Sequence, residues 1–146
     1  MTIHFVFIGR TRRAECRVLF EDYAARIARS AEVRVTELRE PVPAAPKALA
    51  RLKTAPAAHW VLLDAAGRHY TSQEFARWLG RLRDAGTREV VFLCGGDTGF
   101  PSAVREHAHE ALSLSPLTMP HELARVVLAE QIYRAFAILS HHPYAK

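Results

Sequence analysis

The chain has 146 residues, 49% of them hydrophobic and 24% charged, a globular balance that excludes extensive disorder. This length suits one domain, 1–146, that buries roughly 70% of its unfolded-chain surface and needs no metal or disulfide staple. No apolar run approaches the roughly 18 residues that span a bilayer. Met1–Arg13 has no cationic residue ahead of its short apolar run, so no signal peptide is expected.

The net charge of +5 hints at a polyanionic partner. Lys47, Lys53 and Lys146 are the only lysines; every other basic residue is arginine, whose planar fork matches phosphate oxygens in pairs. GC-rich coding explains the same bias without any partner. Cys16 and Cys94 are far apart and form no metal-like cluster, so they read as free thiols of a reducing, cytoplasmic compartment.

Thr2–Ile8 alternates and is rich in β-formers, which predicts a strand ended by Gly9. Arg13–Ser30 carries Val18, Leu19, Tyr23 and Ile27 at helical spacing. Glu32–Leu38 alternates again and predicts a second strand. Pro41–Pro46, with three prolines, is the one candidate linker, and Ala48–Leu52 predicts a short helix. Trp60–Leu63 is a continuous apolar run, the pattern of a strand covered on both faces, and Asp64–Gly67 predicts a turn. Thr71-Ser-Gln-Glu74 is a capping box opening a helix that runs to Gly86. Val90–Cys94 is another buried strand. Pro101–His109 predicts a helix, Leu112–Leu114 a last strand, and Pro120–Leu139 a long helix apolar nearly all round, hence buried at an interface.

Strands alternating with helices predict a single α/β domain around a mainly parallel sheet flanked by helices. Ligands of such sheets bind outside the carboxyl ends of the strands. Three loops stand there: after Leu63, after Cys94, and Ser115–Met119. Gly95-Gly96 lets backbone approach a ligand, yet neither GxGxxG nor a P-loop lysine is present, and a structural turn explains it equally. Asp97 is a candidate ligand or a helix cap. The eight histidines form no HExxH, and His107 and His109 fall on different faces of a helix, so no metal is expected. No GxSxG elbow supports a hydrolase. Arg10, Arg12, Arg13 and Arg17 read as a solvated helix face or as contacts to RNA phosphates.

The carboxyl-terminal third adds a resemblance. Leu114-Ser-Pro-Leu-Thr-Met-Pro-His121, Ala124-Arg-Val-Val-Leu-Ala-Glu-Gln-Ile-Tyr-Arg-Ala135 and His142-Pro-Tyr144 closely resemble the ribosomal RNA large subunit methyltransferase H family. These trefoil-knotted enzymes of the SPOUT class methylate N3 of a pseudouridine in 23S rRNA. Phe7-Ile-Gly9, Leu63-Asp64, Gly67, Ser72–Ala76 and Gly95-Gly96 extend the likeness along the chain.

The resemblance implies a C-terminal trefoil knot, a homodimer acting on ribosomal RNA or the assembled ribosome, and S-adenosylmethionine as methyl donor. It implies cofactor contacts at Leu63, Gly95, Ser115, Pro116, Leu117, Thr118, Met119 and Pro120. It assigns catalytic roles to Arg125, His142 and Tyr144; His121, Tyr133 and Arg134 also match family positions. Three places depart from the family pattern, the first being the linker near Pro41–Pro46, which replaces a region that is often longer and lysine-rich. Asp97-Thr98 stands where the family usually has Pro-Glu, and Ala145 stands where it usually has a tail histidine. A relative that binds cofactor and RNA without catalysis, or that methylates another RNA, remains an alternative.

Overall fold

The computed structural model describes residues 1–39, 49–96 and 100–145. Five strands form the sheet: β1 (Thr2–Ile8), β2 (Glu32–Leu38), β3 (His59–His69), β4 (Glu89–Cys94) and β5 (Glu110–Ser113). The helices bounded within the described residues are α1 (Ala14–Ile27), α2 (Ser72–Asp84), α3 (Ser102–His107) and α4 (His121–Leu139). The strand order is β2-β1-β4-β3-β5 and every pairing is parallel. The expected parallel α/β sheet flanked by helices is thus found. The linker Pro41–Pro46 and the residues Asp97 and Thr98 lie outside the described residues.

Alternation in the central strands sorts side chains onto two faces. Ile3, Phe5, Phe7, Val90 and Phe92 join Phe20, Ile27, Phe75, Leu79, Leu128, Ile132 and Phe136 in the larger core, beneath α1, α2 and α4. Val6, Trp60, Leu62, Val91 and Leu93 join Leu49 and Val104 in the smaller one. The three inner strands β1, β4 and β3 therefore contribute to both cores, as the continuous apolar runs of β3 and β4 predict.

The capping box forms as expected. Glu74 N donates to Thr71 Oγ1 at 3.1 Å, and Thr71 N donates to Glu74 Oε2 at 2.8 Å.

Three expectations need correction. The turn at Asp64–Gly67 is a bulge inside β3: Leu63 and Arg68 both pair with Leu112, and the residues between them bow out. The helix expected over Pro101–His109 stops at His107. His109 lies beyond it, and its Nδ1 accepts the Trp60 amide at 2.9 Å. A contact between distant residues overrides the local helical pattern there. Finally, the all-round apolar character of α4 is absorbed within the chain. Val126, Leu128, Ala129, Ile132 and Phe136 are buried in the core, and Leu123 is the large apolar side chain of α4 left exposed.

Candidate functional site

A cavity of about 660 Å³ opens at the bulge of β3 and the carboxyl ends of β4 and β5. Leu63, Asp64 and Ala65 of β3 wall one side, and Cys94, Gly95 and Gly96 wall the next. The loop after β5 closes it with Leu114, Ser115, Leu117, Thr118, Met119 and Pro120, and the first turn of α4 supplies His121, Glu122 and Ala124. The sheet topology brings these segments together because the strands are parallel, so all their carboxyl ends face one way. Seven of the eight expected cofactor residues line this cavity; Pro116 lies exposed in the same loop and does not.

The walls are mainly apolar, with a few polar groups aimed inward, as small-molecule sites usually are. Asp64 is the clearest of these. Its Oδ1 accepts the Ala66 amide at 3.0 Å, and its other oxygen pairs with Arg105 of α3. The amide bond and then the Arg105 guanidinium hold its carboxyl below the usual range. Cys94 is the opposite case: burial pushes its thiol up to about 12, so it stands there as a neutral packing group.

Glu122 and Arg125 are both buried on the first turns of α4, and both reach the loop after β1. Glu122 Oε1 accepts the Arg13 amide at 2.8 Å, and this bond chiefly holds the carboxyl below its ordinary value. Arg125 donates to the Ile8 carbonyl at 2.8 Å and to Thr11 Oγ1 at 2.9 Å, and its guanidinium lies 4.5 Å from the centre of the Phe7 ring. Arg125 has no exposed surface, so within one chain it holds a loop and does not face solvent.

The tail stands elsewhere. His142 is exposed beyond the far end of α4, and its Nδ1 accepts the Tyr144 amide at 3.2 Å. The Tyr144 hydroxyl donates to Glu130 Oε1 at 2.9 Å, and its ring packs 4.6 Å from that of Tyr133. Burial, then hydrogen bonding to Tyr23 and Glu130, raises its pKa. The 19 residues of α4 separate tail from cavity by roughly 27 Å at 1.5 Å per residue. Arg134 forks onto Glu130 at 2.6 and 2.9 Å and covers the Tyr144 ring.

Sequence reading missed Asp64, Arg105 and Glu122 as cavity residues. Asp64 and Arg105 are 41 positions apart and Glu122 meets Arg13 across 109, so no local pattern marks either pair. It also missed a cluster at the opposite end of the sheet, where Glu110 meets His59 at 2.5 Å and accepts from Trp78 and Tyr70. Burial there pushes the Glu110 carboxyl up, and the hydrogen bonds together outweigh it and hold the pKa below normal. Among the described residues no three His, Cys, Asp or Glu side chains gather as metal ligands, and no helix is long and apolar enough to cross a membrane.

Residues 1–145 match the family described as predicted SPOUT methyltransferase. The chain belongs to the SPOUT methyltransferase family. Within it, the chain groups with the ribosomal RNA large subunit methyltransferases H. It is 38% identical to the protein of that name from Geobacter sp. (strain M21), covering 99% of this chain and 98% of the relative. It is also 38% identical to the one from Solibacter usitatus, over the whole of both chains.

Solved structures of other proteins share the fold at low identity. A probable methyltransferase from Bordetella pertussis Tohama I aligns with a TM-score of 0.56 at 13% identity, covering 91% of this chain and 93% of that one. The SpoU methyltransferase AviRb from Streptomyces viridochromogenes, solved with the cofactor AdoMet, aligns at 0.51 and 12%, covering 92% of this chain and 57% of that one. The knotted path that the resemblance implies is consistent with this strand order.

Proposed function

We propose that this SPOUT methyltransferase moves a methyl group from S-adenosylmethionine to N3 of a pseudouridine in large-subunit ribosomal RNA, acting in the cytoplasm as a homodimer. The observation that carries the reading is the cavity itself. Leu63 beside the β3 bulge, Gly95 after β4, and Ser115 with Leu117–Pro120 after β5 meet there, and they are among the positions at which the sequence resembles the methyltransferase H family.

The residues present fit the cofactor. A volume of about 660 Å³ accommodates a ligand of that size. Leu63, Leu114, Leu117 and Met119 offer apolar surface for a purine and a methionine chain. Gly95 and Gly96 place no side chain between backbone and ligand. Asp64 supplies an ionised acceptor for hydroxyl or ammonium groups, and Ser115 and Thr118 offer hydroxyls. The bound cofactor supplies an electrophilic methyl group on a sulfonium sulfur. The protein's part is positioning: it holds the acceptor nitrogen in line and accommodates the charge formed when N3 loses its proton.

His142 and Tyr144 are assigned to the RNA pocket, with His142 able to take a proton near neutral pH and Tyr144 to stack on the base. In a single chain they stand a helix length from the cavity, so this assignment requires a second copy. α1 and α4 lie side by side in the same direction, Arg13 beside Glu122 at one end and Tyr23 beside Tyr133 further along. Val18 and Leu19 on α1 and Leu123 on α4 are 62%, 47% and 42% exposed, an apolar surface suited to a partner copy. An antiparallel partner on this surface carries its tail toward the cavity of the first chain. Arg125 acts in this reading through the loop it holds.

The second reading, a cofactor- and RNA-binding relative without catalysis, is favoured by Ala145 at the place of a tail histidine. One experiment separates the two. Purified protein is incubated with labelled S-adenosylmethionine and large ribosomal subunits from a strain lacking the modification, and the RNA is analysed by mass spectrometry. Methyl on the pseudouridine supports the enzyme. Cofactor binding without transfer supports the binder.

A further inference from the structure

Gly9 ends β1 in the left-handed region, at φ 82°, and turns the chain into the segment 10–13. Two buried ionised side chains of α4 then grip this segment by its backbone and by Thr11: Arg125 from one side and Glu122 from the other. Their grip leaves Arg10, Arg12 and Arg13 on the exposed side of the loop, with Arg17 one turn into α1. Arg13 lines the cavity.

Elsewhere arginines near carboxylates are neutralised: Arg26 by Asp22, Arg34 by Glu89, Arg105 by Asp64 and Arg134 by Glu130. None of the four arginines of the loop and first turn pairs with a described carboxylate through its side chain. Glu15 is the one acidic residue among positions 10–17.

We propose that the loop 9–13, with Arg17, is a clamp for the phosphodiester backbone of the RNA strand that flanks the base in the cavity. The inference rests on the RNA-methyltransferase reading and names where that partner is held. A base must leave its stack to enter a cavity in the protein, so its own phosphates come to the rim. Guanidinium forks match phosphate oxygens in pairs. A loop already fixed by Glu122 and Arg125 loses little freedom on binding, which preserves affinity. Glu122 and Arg125 are positioning residues of this clamp.

The test compares the parent chain with two triple variants: Arg10→Ala, Arg12→Ala, Arg17→Ala, and the same three positions changed to Lys. Arg13 is left intact because it lines the cavity. Binding to large ribosomal subunits lacking the modification is measured across a potassium chloride series, and S-adenosylmethionine affinity by calorimetry. The alanine variant is expected to bind subunits at least about tenfold more weakly, with a log–log salt slope shallower by about 2, since each phosphate contact contributes about 0.7 to 0.9. Its cofactor affinity stays at the parent's value. The lysine variant keeps the slope and part of the affinity. An alanine variant with the parent's slope overturns the clamp, and methyl transfer by the parent then still upholds the enzymatic reading. A parent that binds subunits through these arginines but transfers no methyl overturns the enzymatic reading and leaves the clamp standing. A parent that does not bind the subunit overturns both.

Discussion

Glu122 on the first turn of α4 accepts the backbone amide of Arg13 at 2.8 Å, joining the last helix to the loop after the first strand. Arg125, one turn further along α4, holds the same loop through Ile8 and Thr11. The cavity wall formed by α4 and the arginine loop beside it are thereby one unit, and breaking either set of hydrogen bonds loosens both.

The bond from Arg13 to Glu122 carries a pH signature. The Glu122 pKa is held below its unfolded value, first by the Arg13 amide. Its stabilisation is therefore fully present above about pH 4.3, the ordinary glutamate value, and is lost as pH falls through the lower folded value. Glu122→Gln keeps an acceptor oxygen but no charge. It is expected to cost about 1 kcal/mol at neutral pH, with the gap to the parent closing in acid. Urea unfolding at a series of pH values checks this; a gap that stays constant into strong acid would refute it.

Gly95 stands at the end of β4 on the cavity wall. A branched side chain there occupies the space proposed for the cofactor. Gly95→Val is expected to abolish S-adenosylmethionine binding in calorimetry while unfolding cooperatively like the parent. Unchanged affinity would remove Gly95 from the site.

Deleting 142–146 is expected to leave cofactor affinity intact and stop methyl transfer, because the tail lies a helix length from the cavity of its own chain. The dimer reading adds a sharper outcome. The tail-deleted chain and the Gly95→Val chain, each inactive alone, regain activity when mixed, since one chain supplies a sound cavity and the other a sound tail. Activity is followed by methyl incorporation into ribosomal subunits. No recovery in mixed dimers of proven composition argues for a site within one chain, and full activity of the truncated protein removes the tail from the mechanism.

Gly67 lies in the β3 bulge against β5. A Cβ there would stand 2.7 Å from the carbonyl carbon and oxygen of Ala111 and 2.9 Å from the carbonyl carbon of Leu112. Backbone cannot give way as a flexible side chain does, so Gly67→Ala is expected to destabilise by about 2 to 3 kcal/mol. Denaturant unfolding measures it. A loss under about 0.5 kcal/mol, within the range of ordinary surface changes, would mean the bulge relaxes freely.

Much of this protein is legible one segment at a time. The strand limits Thr2–Ile8 and Glu32–Leu38 and the capping box at Thr71 follow from side-chain period and local hydrogen bonding, which act over a few residues. Parallel strands then imply loops gathered at one end, and the family motif in 114–121 pointed to a segment that lines the cavity. What only the tertiary structure decided involves residues far apart in the chain. Asp64 with Arg105, Glu122 with Arg13 and Arg125 with Ile8 meet because the strand order β2-β1-β4-β3-β5 folds distant segments together. The sheet likewise turned 64–67 from a turn into a bulge, since β5 pairs on both sides of it. The burial of Arg125, to which the resemblance assigns a catalytic role, is likewise a tertiary fact, because burial depends on what packs above a residue and no local period records that.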